Sequence, residues 1–171
     1  MTFTLKTGLL RSLKGFDDEL GKYFGASARY RAASRNGGVI LIVDKEEQLF
    51  KMVSFLAEKT NMNVTVVRLA TPADARKLIE ESGPSSVKAV ILDADILEST
   101  NGSFNDWVKN TGVDVPVFIK GNRDQIITFK TSGLRLGMFI QEDTSSMDYV
   151  EALGFPARCR TLVEEYEAAA Q

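Results

Sequence analysis

Two apolar runs of strand length, each closed by an aspartate, constrain this chain more than anything else in it. Val87-Lys88-Ala89-Val90-Ile91-Leu92 leads into Asp93-Ala94-Asp95, and Val39-Ile40-Leu41-Ile42-Val43 leads into Asp44. Runs rich in Val and Ile are what a strand buried on both faces needs, and such strands belong to parallel sheets. Open parallel sheets bind ligands outside the carboxyl ends of their strands, so neighbouring strands would bring Asp44 and Asp93 to one rim. The plainer role for either acid is to cap the helix or turn that follows it.

From Gly38 onward, strand and helix signals alternate along the sequence. Strand 38–43 precedes a helix from Lys45 to about Thr60 with Leu49, Phe50, Val53 and Leu56 on one face. Strand 63–69 leads to Thr71-Pro72, an N-cap followed by proline at the first helical position. That helix turns Ala75, Leu78 and Ile79 inward and ends near Gly83-Pro84. Past the central strand, Phe104, Trp107 and Val108 mark a short helix that stops at Gly112. A strand at 115–119, a helix at 122–132, a strand at 134–140 and a helical region from Ser145, broken at Gly154-Phe155-Pro156, follow. This alternation means βαβ units. It predicts an α/β fold: a flavodoxin-like, doubly wound, five-stranded parallel sheet of order 2-1-3-4-5. The switch point of that order lies between the strands that end in Asp44 and Asp93.

Residues 1–36 read as a basic extension and residues 37–171 as the sheet domain. The extension holds seven Lys or Arg against three acids, a net of +4 in a chain of net −2, which leaves the domain at −6. Leu9, Leu13, Phe16, Leu20 and Tyr23 recur at the spacing of an amphipathic helix, weakened by Gly8, Gly15 and Gly21. Such a seam needs a surface: its own domain, a second copy in a homodimer, or a partner. Gly25 to Gly38 reads as a linker, and its Arg29, Tyr30, Arg31 and Arg35 make only a weak case for nucleic acid against simple solvation. The single Cys159 falls beside Leu162, Val163 and Tyr166 at helical spacing, as a small buried side chain would. Without histidine, Ser-His-Asp, Cys-His and the usual zinc hydrolase chemistries are excluded. No apolar run approaches the roughly 18 residues of a membrane span, and no secretory signal opens the sequence, so a cytoplasmic protein is expected.

Gly38-Val-Ile-Leu-Ile-Val-Asp44-Lys-Glu-Glu resembles the opening of a response-regulator receiver domain, and Ala89-Val-Ile-Leu-Asp93-Ala-Asp-Ile-Leu resembles its phosphoacceptor strand. Pro116-Val-Phe-Ile and Gly137-Met-Phe-Ile-Gln continue the resemblance across residues 38 to about 168. The resemblance implies that Asp93 stands at the phosphoacceptor position and Phe139 where the family often has a switching aromatic. A core aromatic is the simpler reading of Phe139.

The departures from the family matter more. Its magnesium-binding acidic pair is here Asp44-Lys45, its hydroxyl residue after the fourth strand falls at Gly121, and its lysine after the fifth strand falls at Glu142. Magnesium wants hard oxygen ligands, and phosphoryl transfer wants cations and donors around the moving charge. The pocket Asp44, Lys45, Asp95, Gly121, Glu142 therefore reads as degenerate, unless Lys45 or Lys120 swings in to compensate. The expectation is a pseudo-receiver without catalytic activity, cofactor or metal, working in signal transduction by binding proteins such as a kinase or regulator. Its first candidate surfaces are the 122–132 helix, the fifth strand and the last helical region. One alternative is a working response regulator with Asp93 as phosphoacceptor and magnesium on Asp44 and Asp93. The other is a small flavodoxin-like enzyme or nucleotide-binding module, against which Lys45-Glu46-Glu47 stands in place of a glycine-rich phosphate loop.

Overall fold

The computed structural model describes residues 28–130 and 136–170. Five strands, β1 (Gly38–Val43), β2 (Val64–Leu69), β3 (Val87–Asp93), β4 (Val117–Gly121) and β5 (Leu136–Ile140), form one parallel sheet in the order β2-β1-β3-β4-β5. That is the order expected from the sequence. The helices are α1 (28–34), α2 (Gln48–Lys59), α3 (Pro72–Ser82), α4 (Ala94–Glu98), α5 (Ser103–Thr111), α6 (Arg123–Lys130), α7 (Ser146–Ala152) and α8 (Cys159–Ala170).

Side chains alternate across a strand, so the buried strands feed two cores. Ile40, Ile42, Ile91, Phe118 and Phe139 face α1, α2, α7 and α8, while Leu41, Val43, Leu92, Val117 and Ile119 face α3 to α6. Thr71 caps α3 by accepting from Asp74 N at 3.1 Å, and α5 stops at Gly112 in the left-handed region, both as the sequence predicts. Cys159 is fully buried beside Val163. Among the described residues no helix is long and apolar enough to cross a membrane.

Two expectations are corrected. The 25–38 segment is not a linker throughout: residues 28–34 are helical, and Ala28 and Ala32 are fully buried. Alanine at i and i+4 lets α1 approach very closely. A side chain at Gly137 would strike the Phe118 ring and meet Ala28, and Gly154, at φ +74°, leaves room for Ala33. Polar groups then fix the carboxyl end of α1. Lys88 Nζ donates to Ala32 O at 2.8 Å and to Arg35 O at 2.6 Å, and Arg35 donates to Pro84 O, Val87 O and Asp114 O. Arg31 and Arg35, considered above for an anionic surface, pair with Asp114 at 3.0 and 3.4 Å.

The second correction moves the fourth strand two residues along, from 115–119 to Val117–Gly121. Pro116 has no N–H to give the ladder. The shift places Lys120 inside the strand, in register with Asp93.

Candidate functional site

The carboxyl ends of β1, β3 and β4 converge on a cluster of carboxylates and lysines. Asp44 follows β1, Asp93 ends β3, and both are buried. Lys120, on β4, donates from Nζ to Asp44 Oδ2 at 2.5 Å, with the two side chains 11% and 2% exposed. Asp44 Oδ1 accepts from the Glu46 amide at 3.1 Å. Thus the first-strand aspartate holds an internal ammonium and a backbone donor.

Asp93 is 1% exposed and does the work of a cap. Its Oδ1 accepts from the amides of Asp95 at 2.9 Å and Ile96 at 3.4 Å, opening α4, while Oδ2 is buried with no hydrogen-bond partner. Burial, and then the neighbouring Asp44 charge, holds its carboxyl above the ordinary value. The two amide bonds and the nearby Lys45 oppose that shift without cancelling it.

The second lysine sits at the surface. Lys45 Nζ donates to Asp95 Oδ2 at 2.5 Å, with both side chains about half exposed. Its hydrogen bond, followed by one from Gln125, holds Asp95 below the usual carboxylate value. The Gln125 amide donates to Asp95 Oδ1 at 2.6 Å and to Glu98 at 3.2 Å, and its Oε1 accepts from the Asn122 amide. Asp44 and Asp95 therefore each hold an ammonium, the compensation by Lys120 and Lys45 that the sequence leaves open.

Gly121 lies beneath this network. A Cβ there would come within 2.7 Å of Ala94 Cβ and 2.8 Å of Gln125 Oε1, so the place where the family resemblance puts a hydroxyl is already filled. Glu142 is exposed in the turn after β5, and the residue that faces the rim from that turn is Gln141. With Lys45, Glu46, Lys120, Thr144 and Tyr149, Gln141 lines a polar cleft of about 310 Å³. Phe139 is packed between Phe118, at 5.4 Å between ring centroids, and Tyr149, at 4.4 Å, and is 2% exposed. The core reading of Phe139 holds. Among the described residues no group of three or more His, Cys, Asp or Glu is arranged to hold a metal ion.

The contributions of Gln125 and Tyr149 escape a reading by motif, because each lies off the positions that define the resemblance, and Lys120 is expected there only as a cation that could swing in. Only the register of β4 beside β3 brings Lys120 to the rim. The interaction seam Leu9, Leu13, Phe16, Leu20, Tyr23 lies outside the described residues.

No family model matches the chain, and no curated protein matches it. Solved structures do. A response regulator receiver domain protein from Clostridium thermocellum is similar at 18% identity with a TM-score of 0.51, over 74% of this chain and 98% of that one. The signal receiver domain of a Luxo repressor protein from Vibrio parahaemolyticus is similar at 18% identity and TM-score 0.51, over 75% of this chain and 98% of that one. The fold of this chain is that of response-regulator receiver domains.

Proposed function

We propose that this chain is a pseudo-receiver, a signalling module of receiver fold that acts by binding other proteins and is not switched by phosphorylation. One observation carries the reading: Lys120 Nζ sits 2.5 Å from Asp44 Oδ2, with both side chains largely buried. A divalent cation needs hard oxygen ligands, and here an ammonium already satisfies the carboxylate that would be its first anchor. To admit magnesium, the chain would have to expel a charge it has buried, at the cost of a broken internal ion pair.

The surroundings agree. Phosphoryl transfer depends on donors and cations placed where charge develops. Gly121 offers no hydroxyl, Glu142 offers a negative charge in place of a lysine, and Asp93 has one oxygen committed to capping α4 and the other buried. Phe139 is buried between two aromatic rings, as a core residue would be. With the chemistry gone, recognition is the function left to the fold, and the surface of α6, β5 and α7 is the first candidate for it.

The reading is tested by incubating the protein with acetyl phosphate, or with beryllofluoride, in the presence of magnesium. The amide spectrum is expected to stay unchanged and the mass to show no phosphoryl adduct. Stoichiometric modification that disappears in Asp93→Asn would overturn the reading in favour of a working response regulator.

A further inference from the structure

Tyr149, on α7, is 8% exposed, with its ring packed on Phe139 at 4.4 Å between centroids. Among the described residues its hydroxyl has no hydrogen-bond partner, and yet it is not sealed in: it opens on the polar cleft of about 310 Å³ at the rim. A buried tyrosine ordinarily finds a partner for its O–H, so here a donor is left over. Burial, and then the Asp44 and Asp148 charges, hold the Tyr149 pKa well above its ordinary value, so the hydroxyl keeps its proton. The reach of the Asp44 charge also places the hydroxyl near the Asp44–Lys120 pair.

The other groups of the cleft fall on two sides. Lys120 Nζ gives one of its N–H donors to Asp44, and the rest remain on the buried side with the tyrosine. On the exposed side, the Glu46 carboxylate makes no hydrogen bond or ion pair among the described residues. Lys45 and Thr144 already donate, to Asp95 and to Ile140 O, and Gln141 adds an amide that can give or accept.

Charge then limits what the cleft can take. Lys45–Asp95 and Lys120–Asp44 are neutral pairs, so Glu46 is the charge left over in the lining. A simple anion would use the tyrosine and lysine donors but be repelled by Glu46, whereas a simple cation would meet Glu46 and leave those donors unmet. A small zwitterion satisfies both sides, and a cleft at the low end of the roughly 300–1,000 Å³ usual for ligand sites suits a molecule of that size. We propose that the cleft binds a free α-amino acid, its carboxylate on the Tyr149 hydroxyl and the Lys120 ammonium and its own ammonium on Glu46. Asp93 takes no part, so the site goes beyond the reading above and stands whether or not Asp93 can be phosphorylated.

Amide spectra of the ¹⁵N-enriched full chain test the site, recorded as each standard L-amino acid is added singly at millimolar concentration. At least one is expected to move the signals of Glu46, Gln141 and Tyr149 saturably. Its analogues lacking the amine or the carboxylate should each bind roughly tenfold more weakly or worse, since a bond to a charged group is lost. Tyr149→Phe keeps the ring on Phe139, and Glu46→Gln changes an exposed side chain, so both variants are expected to keep the parent's spectrum and to lose roughly tenfold in affinity. No saturable shift with any amino acid, or shifts confined to other parts of the chain, would overturn the proposal. So would unchanged affinity in either variant, or an amine-free acid that binds as tightly as the amino acid, which would make the cleft an anion site only.

Discussion

The two ends of the sheet each place a lysine in a largely buried position and satisfy it differently. At the carboxyl end, Lys120 meets a carboxylate, Asp44, and the pair is neutral. At the amino end, Lys88 is 1% exposed, and its Nζ meets two backbone carbonyls, those of Ala32 and Arg35. Burial, and then the neighbouring Arg35 charge, holds the Lys88 amine below its ordinary pKa. The carboxyl-end lysine satisfies a buried carboxylate at the rim. The amino-end lysine replaces the missing amide donors at the end of α1. One arrangement ties the end of β1 to β4 through an internal ion pair, and the other fastens a helix to the sheet.

The largest effect is expected at the carboxyl end. Lys120→Met leaves Asp44 as a buried carboxylate with only the Glu46 amide, and breaking a buried pair in this way costs about 3–5 kcal/mol. Urea denaturation measures the loss. If Lys120 is the resident cation, millimolar magnesium should return part of that stability to Lys120→Met and do nothing for the parent protein. Equal responses to magnesium in the two proteins would break the comparison.

Lys88→Met should cost less. Two carbonyls lose their charged donor, one of them partly reachable by water, and the variant no longer buries an ammonium, so a loss of about 2 kcal/mol is expected. The damage should be local. Limited proteolysis of Lys88→Met is expected to cut within residues 28–36 while the sheet stays intact. Uniform loss of protection across the sheet would mean that α1 is no separable addition.

The sequence disclosed the sheet more readily than it disclosed these two lysines. Apolar runs ending in Asp44 and Asp93, the Thr71-Pro72 start and the Gly112 stop are local signals, and the structure keeps all of them. α1 was hidden because its buried face is alanine, which carries little hydrophobic signal, and because its fit depends on Gly137 and Gly154, more than 100 residues away. Lys88 was concealed inside an apolar run, since its partners are carbonyls that no side-chain pattern announces. Lys120 needed the register of β4 against β3, which the two-residue shift past Pro116 sets. Lys45 and Lys120 were legible as cations that could swing in to the rim; which carboxylate each meets was not.

The smallest effect has the opposite sign. Asp93 has no ammonium partner, because Lys120 is bound to Asp44 and Lys45 to Asp95, and its carboxyl is held above the ordinary value. Between the ordinary and the raised value, the folded state binds more proton than the unfolded state. Stability therefore falls as pH rises through that window, and the full cost is present above the raised value. Asn caps a helix as well as Asp does, so Asp93→Asn keeps the bonds from the Asp95 and Ile96 amides while removing the charge. It should melt at a higher temperature than the parent at neutral pH. The gap should close as the pH drops below the ordinary carboxyl value, where the parent's Asp93 is protonated in both states. A variant that melts lower at neutral pH would show that a lysine has left its carboxylate to serve Asp93, and the neat division of cations at this rim would have to be redrawn.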